Sequence, residues 1–150
     1  MPQSLSNTII HTIFSTKDRV KLIDENIEKS LFGMIGNECN KLKCKTIIVG
    51  GYMDHIHILC KLHRPVSQSD FVKTIKSHSS IWMKQQGNQY SNFYWQDGYA
   101  VYSVGQIEVD RLINYIQNQK EHHRIKTFKE EYLDFLKDYG VDYNEKYLWD

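Results

Sequence analysis

The chain has 150 residues, 41% of them hydrophobic and 25% charged, with a net charge of +1, two prolines and three cysteines. That length suits one domain with its own core, residues 1–150, and the composition excludes a disordered chain and a disulfide-stapled one. No apolar run is long enough to span a bilayer, the amino end lacks the basic-then-apolar layout of a secretory signal, and Cys39, Cys44 and Cys60 make no Cys-x-x-Cys pair, so a cytoplasmic location is expected.

In chain order, residues 4–15 read as a strand, apolar at Ile9, Ile10, Ile13 and Phe14. Residues 22–42 read as a helix in which Ile23, Ile27, Leu31, Ile35 and Cys39 recur every four positions. Residues 45–50 and 55–62 read as an antiparallel hairpin, with Gly50, Gly51 and Asp54 supplying the turn. Pro65 ends the second strand. Ser67 and Asp70 then open a helix to residue 86, with Phe71, Ile75, His78 and Trp82 on one face. A polar loop at 87–92 leads to short extended segments at 93–95 and 99–102. Ser103 and Gln106 have capping-box spacing, and the helix behind them buries Val109, Leu112, Ile113 and Ile116. A last helix, 128–139, is ended by Gly140. The order strand, helix, strand, strand, helix, strand predicts an α+β fold: a ferredoxin-like (split β-α-β) antiparallel sheet with helices on one face and a helical carboxy-terminal region carrying Tyr115. The other face is expected to be free for a ligand or a partner.

Charge is unevenly spread. Residues 128–150 hold seven acids and three bases, which leaves residues 1–127 at +5. A mildly basic body can hold a short stretch of nucleic acid. Ten tyrosines, six phenylalanines and three tryptophans exceed what packing needs in so small a chain, and exposed bases stack on such rings. Lys73, Lys76 and Lys84 on the second helix, with Arg111 and Arg124 near Tyr115, are candidate phosphate contacts.

His55 and His57 alternate on a strand and so share one face. Two imidazoles there can grip a divalent ion, or they can be polar positions on a solvent face. Zinc would need further ligands, for which Cys60, His78, His122 and His123 are candidates. Magnesium or manganese would complete its shell with water and phosphate oxygens. Tyr115 and Gln119 stand one helical turn apart. Each alone reads as an edge-of-core residue or a helix former. A metal pair, a tyrosine and a neighbouring amide oxygen are together a toolkit for cutting a phosphodiester through a tyrosine ester.

As an ordered set these residues resemble the HUH single-strand nucleases, and more closely the single-tyrosine transposases of small bacterial insertion sequences of the insertion sequence 200 type. The resemblance runs through His11-Thr12-Ile13-Phe14-Ser15-Thr16-Lys17, Asp54-His55-Ile56-His57, Trp95-Gln96-Asp97-Gly98-Tyr99, the stretch from Tyr115 to His123 and the closing Tyr147-Leu148-Trp149. Met53 departs from it, since many relatives have proline before the aspartate. The resemblance implies a transposase that cleaves and rejoins single-stranded DNA hairpins at element ends. Tyr115 would be the nucleophile, forming a 5′-phosphotyrosine. His55, His57 and Gln119 would hold magnesium or manganese. It also implies a bacterial homodimer, with the tyrosine helix of one subunit able to complete the histidine site of the other, and association with the nucleoid when DNA is bound.

Other readings fit parts of the chain. A non-catalytic ferredoxin-like domain binding nucleic acid on its sheet explains the fold and the aromatics but not the company of Tyr115, Gln119, His55 and His57. A small zinc protein predicts stoichiometric zinc. A domesticated relative acting on palindromic repeats of the host genome uses the same chemistry as the transposase.

Overall fold

Strand β1 (Ile9–Ser15) is buried at all seven positions. An alternating strand achieves this only when both sheet faces are covered. The computed structural model, which describes residues 2–150, shows how. Helix α1 (Glu28–Lys41) follows β1, then the hairpin β2 (Thr46–Tyr52) and β3 (His55–Lys61), helix α2 (Gln68–Lys84) and strand β4 (Ala100–Val104). The sheet order is β2-β3-β1-β4 with every pairing antiparallel. Each strand-helix-strand crossover therefore straddles a neighbouring strand, as the split β-α-β pattern requires.

Helices α1 and α2 cover one face. Ile10 and Phe14 of β1 with Ile56, Ile58 and Cys60 of β3 pack there against Leu31, Ile35, Phe71 and Ile75. Fully burying such side chains contributes roughly 1.5–3 kcal/mol each, enough to make this the main core. The second face is not free. Helix α3 (Val109–Gln117) seals one end of it, with Val109, Leu112 and Ile116 on Ile9 and Leu59. Beyond α4 (Gln119–Ile125), helix α5 (Phe128–Asp138) seals the other, with Phe128, Tyr132 and Leu136 on Ile13 and Tyr102. A short helix, α6 (Glu145–Leu148), closes the chain.

Several local expectations shift. Residues 22–27 are not helical: the Asp24 carboxylate accepts the amides of Asn26 and Ile27, and α1 begins only at Glu28. Gly50 and Gly51 belong to β2, and the hairpin turns at Met53 and Asp54. Ser67 caps α2 as expected, accepting from the Asp70 amide at 3.1 Å. The buried stripe of α2 is Phe71, Val72, Ile75, Ser79 and Met83, so His78 points outward to Glu38. Ser103 ends inside β4, and the capping box instead joins Thr127 to Glu130 at the start of α5. Gly140, at φ 64°, takes the left-handed turn behind α5.

Candidate active site

Register places the histidines. In β3, His57 lies opposite Ile13 of β1 and His55 opposite Ser15. Both therefore share the second face with Ile9, His11 and Ile13, in the lane where the α3 and α5 clusters meet. Gly50 brings the tyrosine helix close. A Cβ there would stand 2.6 Å from Ile116 Cγ2 and 3.0 Å from its carbonyl oxygen, so only glycine admits α3 at this distance from β2. Tyr115 then reaches the lane, its ring 5.9 Å from that of His57 and 4.3 Å from that of His122. The helix breaks at Asn118, so Tyr115 lies in the last turn of α3 while Gln119 begins α4. The expected single helix becomes two, yet both side chains stay at the same point.

That point is a carboxylate with no place in the sequence-level site: Glu131 of α5. His57 Nε2 donates to its Oε1 at 3.0 Å, and His55 Nε2 lies 3.4 Å from the same oxygen. Its Oε2 accepts from the Tyr115 hydroxyl, from Gln119 Nε2 at 3.3 Å and from His123 Nε2 at 3.2 Å. Gln119 turns its Oε1 to His55 Nε2 at 2.8 Å. Each histidine is also tied from behind. His55 Nδ1 donates to Asp54 Oδ1 at 2.7 Å, and His57 Nδ1 meets His11 Nε2 at 2.8 Å. His11 Nδ1 has no hydrogen-bond partner.

Charge follows from these contacts. Burial pushes His55 down, but its hydrogen bonds to Asp54 and Glu131 outweigh that and raise it to about 9. With acceptors on both ring nitrogens it is an imidazolium. Burial dominates at His57 and His11, which are held below the ordinary histidine range and are neutral. A neutral His57 that donates from Nε2 must accept at Nδ1, so the proton between the two rings belongs to His11. Burial also opposes charge on Glu131, yet the surrounding histidines hold its carboxyl well below the usual range. Burial, then the Glu131 charge, pushes the Tyr115 hydroxyl well above its ordinary value, so the phenol keeps its proton.

Donor atoms of His55, His57 and Glu131 lie within 4.8 Å of one another, a group that could hold a metal ion. The donor set fits one. Both histidines aim Nε2 at a common centre and have the other nitrogen anchored, the usual support for a metal-ligating imidazole. Gln119 Oε1 adds a further oxygen. His123 stands beside this group, whereas His122 packs on Tyr115, Cys60 lies in the core of the opposite face and His78 is on the outer side of α2.

A cleft of about 880 Å³ opens above Tyr115 and Glu131. Its rim is acidic: Glu108, Glu121, Glu131, Asp134 and Asp138 face only Arg111 and Lys126. The basic residues picked out by sequence scatter. Arg111 pairs with Glu108, and Arg124 lies 3.3 Å from Glu121. Lys84 donates to Ser80 and stands 4.1 Å over the Tyr94 ring. Lys76 gives its protons to the carbonyls of Gln96, Asp97 and Gly98 at 2.6–3.1 Å. Among the described residues, Lys73 makes no ion pair. None of the three lysines lines this cleft.

Sequence reasoning missed Glu131 and His11, and each left a signal. Glu131 sits on the apolar stripe formed by Phe128, Tyr132, Phe135 and Leu136, where a charge is anomalous. His11 alternates with Ile9 and Ile13 on a buried strand face.

The fold is a split β-α-β sheet on which paired histidines and a tyrosine converge. The family described as Transposase IS200 like matches residues 4–119, and the chain belongs to that family. Helix α5, with Glu131, lies beyond the matched stretch. Among solved structures, the chain is similar to a protein of Deinococcus radiodurans R1 described as a candidate transposase. The TM-score is 0.62 at 20% identity, over 79% of this chain and 98% of the other. It is also similar to a REP-associated tyrosine transposase bound to a REP hairpin, at TM-score 0.60 and 12% identity, over 82% of this chain and 72% of the other. At these identities the likeness shows the fold. No curated protein matches. Among the described residues no helix is long and apolar enough to cross a membrane.

Proposed function

We propose that this transposase cuts and rejoins single-stranded DNA through a 5′-phosphotyrosine on Tyr115, using magnesium or manganese held by His55 and His57 with oxygens of Gln119 and Glu131. One observation carries the reading: two pairs far apart in sequence, His55 with His57 and Tyr115 with Gln119, meet at the one Glu131 carboxylate, to which His57, Tyr115 and Gln119 hydrogen-bond and from which His55 Nε2 lies 3.4 Å. A metal ion at this point supplies polarisation of the scissile phosphate and offsets the charge that develops on it.

The chain's own residues do the rest. Glu131, His122 and the edge of Phe135 hold the phenol ring in one orientation. Asp54 and His11 fix the two imidazoles, so that the Nε2 atoms point inward. The Tyr115 oxygen attacks phosphorus as its proton passes to water, the bond to the 3′ oxygen breaks, and the departing 3′ oxygen takes a proton from water to leave as a 3′ hydroxyl. A 3′ hydroxyl attacking the phosphotyrosine later reverses these steps and frees Tyr115. The ester keeps the bond energy, so no nucleotide cofactor is needed.

DNA hairpins as substrate and pairing of two copies belong to the same proposal. The first is supported by the solved relative that holds a REP hairpin, the second by the family resemblance. The site is assembled from one chain here, with Tyr115 beside its own His57. A non-catalytic domain binding nucleic acid on its bare sheet loses its surface, because α3 and α5 occupy that face.

The test is a labelled single-stranded oligonucleotide from the flanks of the gene, incubated with magnesium and run on a denaturing gel. Wild type should give a slow protein–DNA band, and Tyr115→Phe should give none. Tyr102→Phe should keep it, since the Tyr102 hydroxyl is buried without a partner. A band that survives in Tyr115→Phe contradicts the assignment.

A further inference from the structure

The rim of the cleft above Tyr115 offers a polyanion little attraction. Its two basic side chains are each paired to a carboxylate of the same rim, Arg111 to Glu108 and Lys126 to Asp134. Affinity for DNA must come from another surface.

A second cleft, of about 430 Å³, lies between α2 and residues 93–99. That volume falls in the range of small-ligand pockets. Its lining includes Lys73, Lys76, Ser77, Tyr94 and Tyr99, with Asp97 the one acid. Tyr94 and Tyr99 are 55% and 39% exposed, far more than packing alone would leave. Each has a lysine ammonium by its ring, Lys84 at 4.1 Å from Tyr94 and Lys76 at 5.6 Å from Tyr99. The walls are tied to one another. The three carbonyl bonds from Lys76 tie residues 96–98 to α2, and Trp95 Nε1 donates to Ser79 Oγ at 2.9 Å. Lys76 is thereby consumed in holding the wall, while Lys73 stands free at the mouth.

We propose that this cleft is a second DNA site, which stacks unpaired bases of a single strand on Tyr94 and Tyr99 and meets a backbone phosphate with Lys73. The inference rests on the proposed function for the identity of its ligand. The chemistry is that of single-strand binding in general: rings that accept any base, and ammonium groups that track the backbone. A cation by one side of each ring leaves the other side for a base and adds positive charge near the phosphate that follows.

The experiment measures binding with cleavage removed. Tyr115→Phe protein in chelator is titrated into a fluorescent single-stranded oligonucleotide, and anisotropy is read over a range of salt. Tyr94→Ala and Tyr99→Ala, each added to that background, should weaken binding by roughly 5- to 100-fold. Tyr94→Phe, which keeps the ring, should restore it to within about twofold of the parent. Lys73→Gln should lower the slope of log affinity against log salt by about 0.7, one phosphate contact on a single strand. Circular dichroism should show all variants folded, as expected for exposed side chains. Affinity unchanged in both tyrosine-to-alanine variants overturns the proposal, as does a parent protein that binds no single strand. A loss in Lys73→Gln alone also overturns it, since that describes a charged surface without stacking. The outcome is independent of the nuclease reading. Wild type that binds through these residues but forms no adduct with magnesium would sink that reading and leave this site standing.

Discussion

The cleft above Tyr115 has five carboxylates on its rim and two basic side chains, both already paired, whereas the cleft beside α2 has two lysines, two open tyrosine rings and a single acid. They lie with different layers of the molecule: the first with α3 and α5 on one face of the sheet, the second with α2 on the other. On the proposed function, the contrast separates two tasks: positive charge marks the proposed grip on DNA, not the proposed point of cutting. Acidity at the cutting site is compatible with phosphate chemistry if a cation sits among the carboxylate and imidazoles, and it discourages binding anywhere but at that ion.

Variants can break this division. The largest effect is expected at His55. His55→Ala should lose detectable cleavage, and it should also lower metal-free stability by about 3–5 kcal/mol, because Asp54 and Glu131 are left as buried charges without their cation. Thermal unfolding checks the second part, and a melting temperature equal to wild type would show that the buried network is not ionised as described. Glu131→Gln should weaken manganese binding by roughly 10- to 100-fold, read by electron paramagnetic resonance, while single-strand affinity in chelator stays the same. Unchanged manganese affinity would remove Glu131 from the ligand set.

Gly50→Ala tests how the fold sets the site. The added methyl meets Ile116 at 2.6 Å, so α3 must shift, at a stability loss of about 1–3 kcal/mol and with slower cleavage through a displaced Tyr115. Wild-type cleavage rates would mean that the distance between α3 and β2 does not matter.

A further effect is a pH trend. His55 is raised from an ordinary 6.5 to about 9 in the folded, metal-free chain, among Asp54, Glu131, Gln119, His57 and His123. A raised histidine stabilises fully below its unfolded value, and the gain is lost as pH climbs through the folded one. Metal-free stability should therefore fall between pH 6.5 and about 9, and a rise over that window in chemical denaturation would contradict it.

Much of this arrangement was legible because it is local. Alternation put His55 and His57 on one face, apolar spacing outlined α3, and Ser67 and Gly140 marked the ends where they cap. The site's centre was not legible, because Glu131 and His11 reach it by sheet register and helix docking. No spacing rule links Glu131 to His57, 74 residues earlier. Single contacts also decide what a basic residue does. Lys76 reads in sequence as a phosphate contact, yet in the fold it spends its protons on three backbone carbonyls. Residues 22–27 escaped helix because one carboxylate, Asp24, captured the amides that a helix would have used.

The division between cutting and gripping is tested most directly by single-turnover cleavage of one oligonucleotide with Tyr94→Ala and Tyr115→Phe, across a range of protein concentration. Tyr94→Ala should need roughly 5- to 100-fold more protein to reach half-maximal rate and then cleave at the wild-type maximal rate. Tyr115→Phe should bind at the wild-type concentration and never cleave. A Tyr94→Ala protein that is slow even at saturation, or a Tyr115→Phe protein that has lost its grip on DNA, would contradict the assignment of separate tasks to the two clefts.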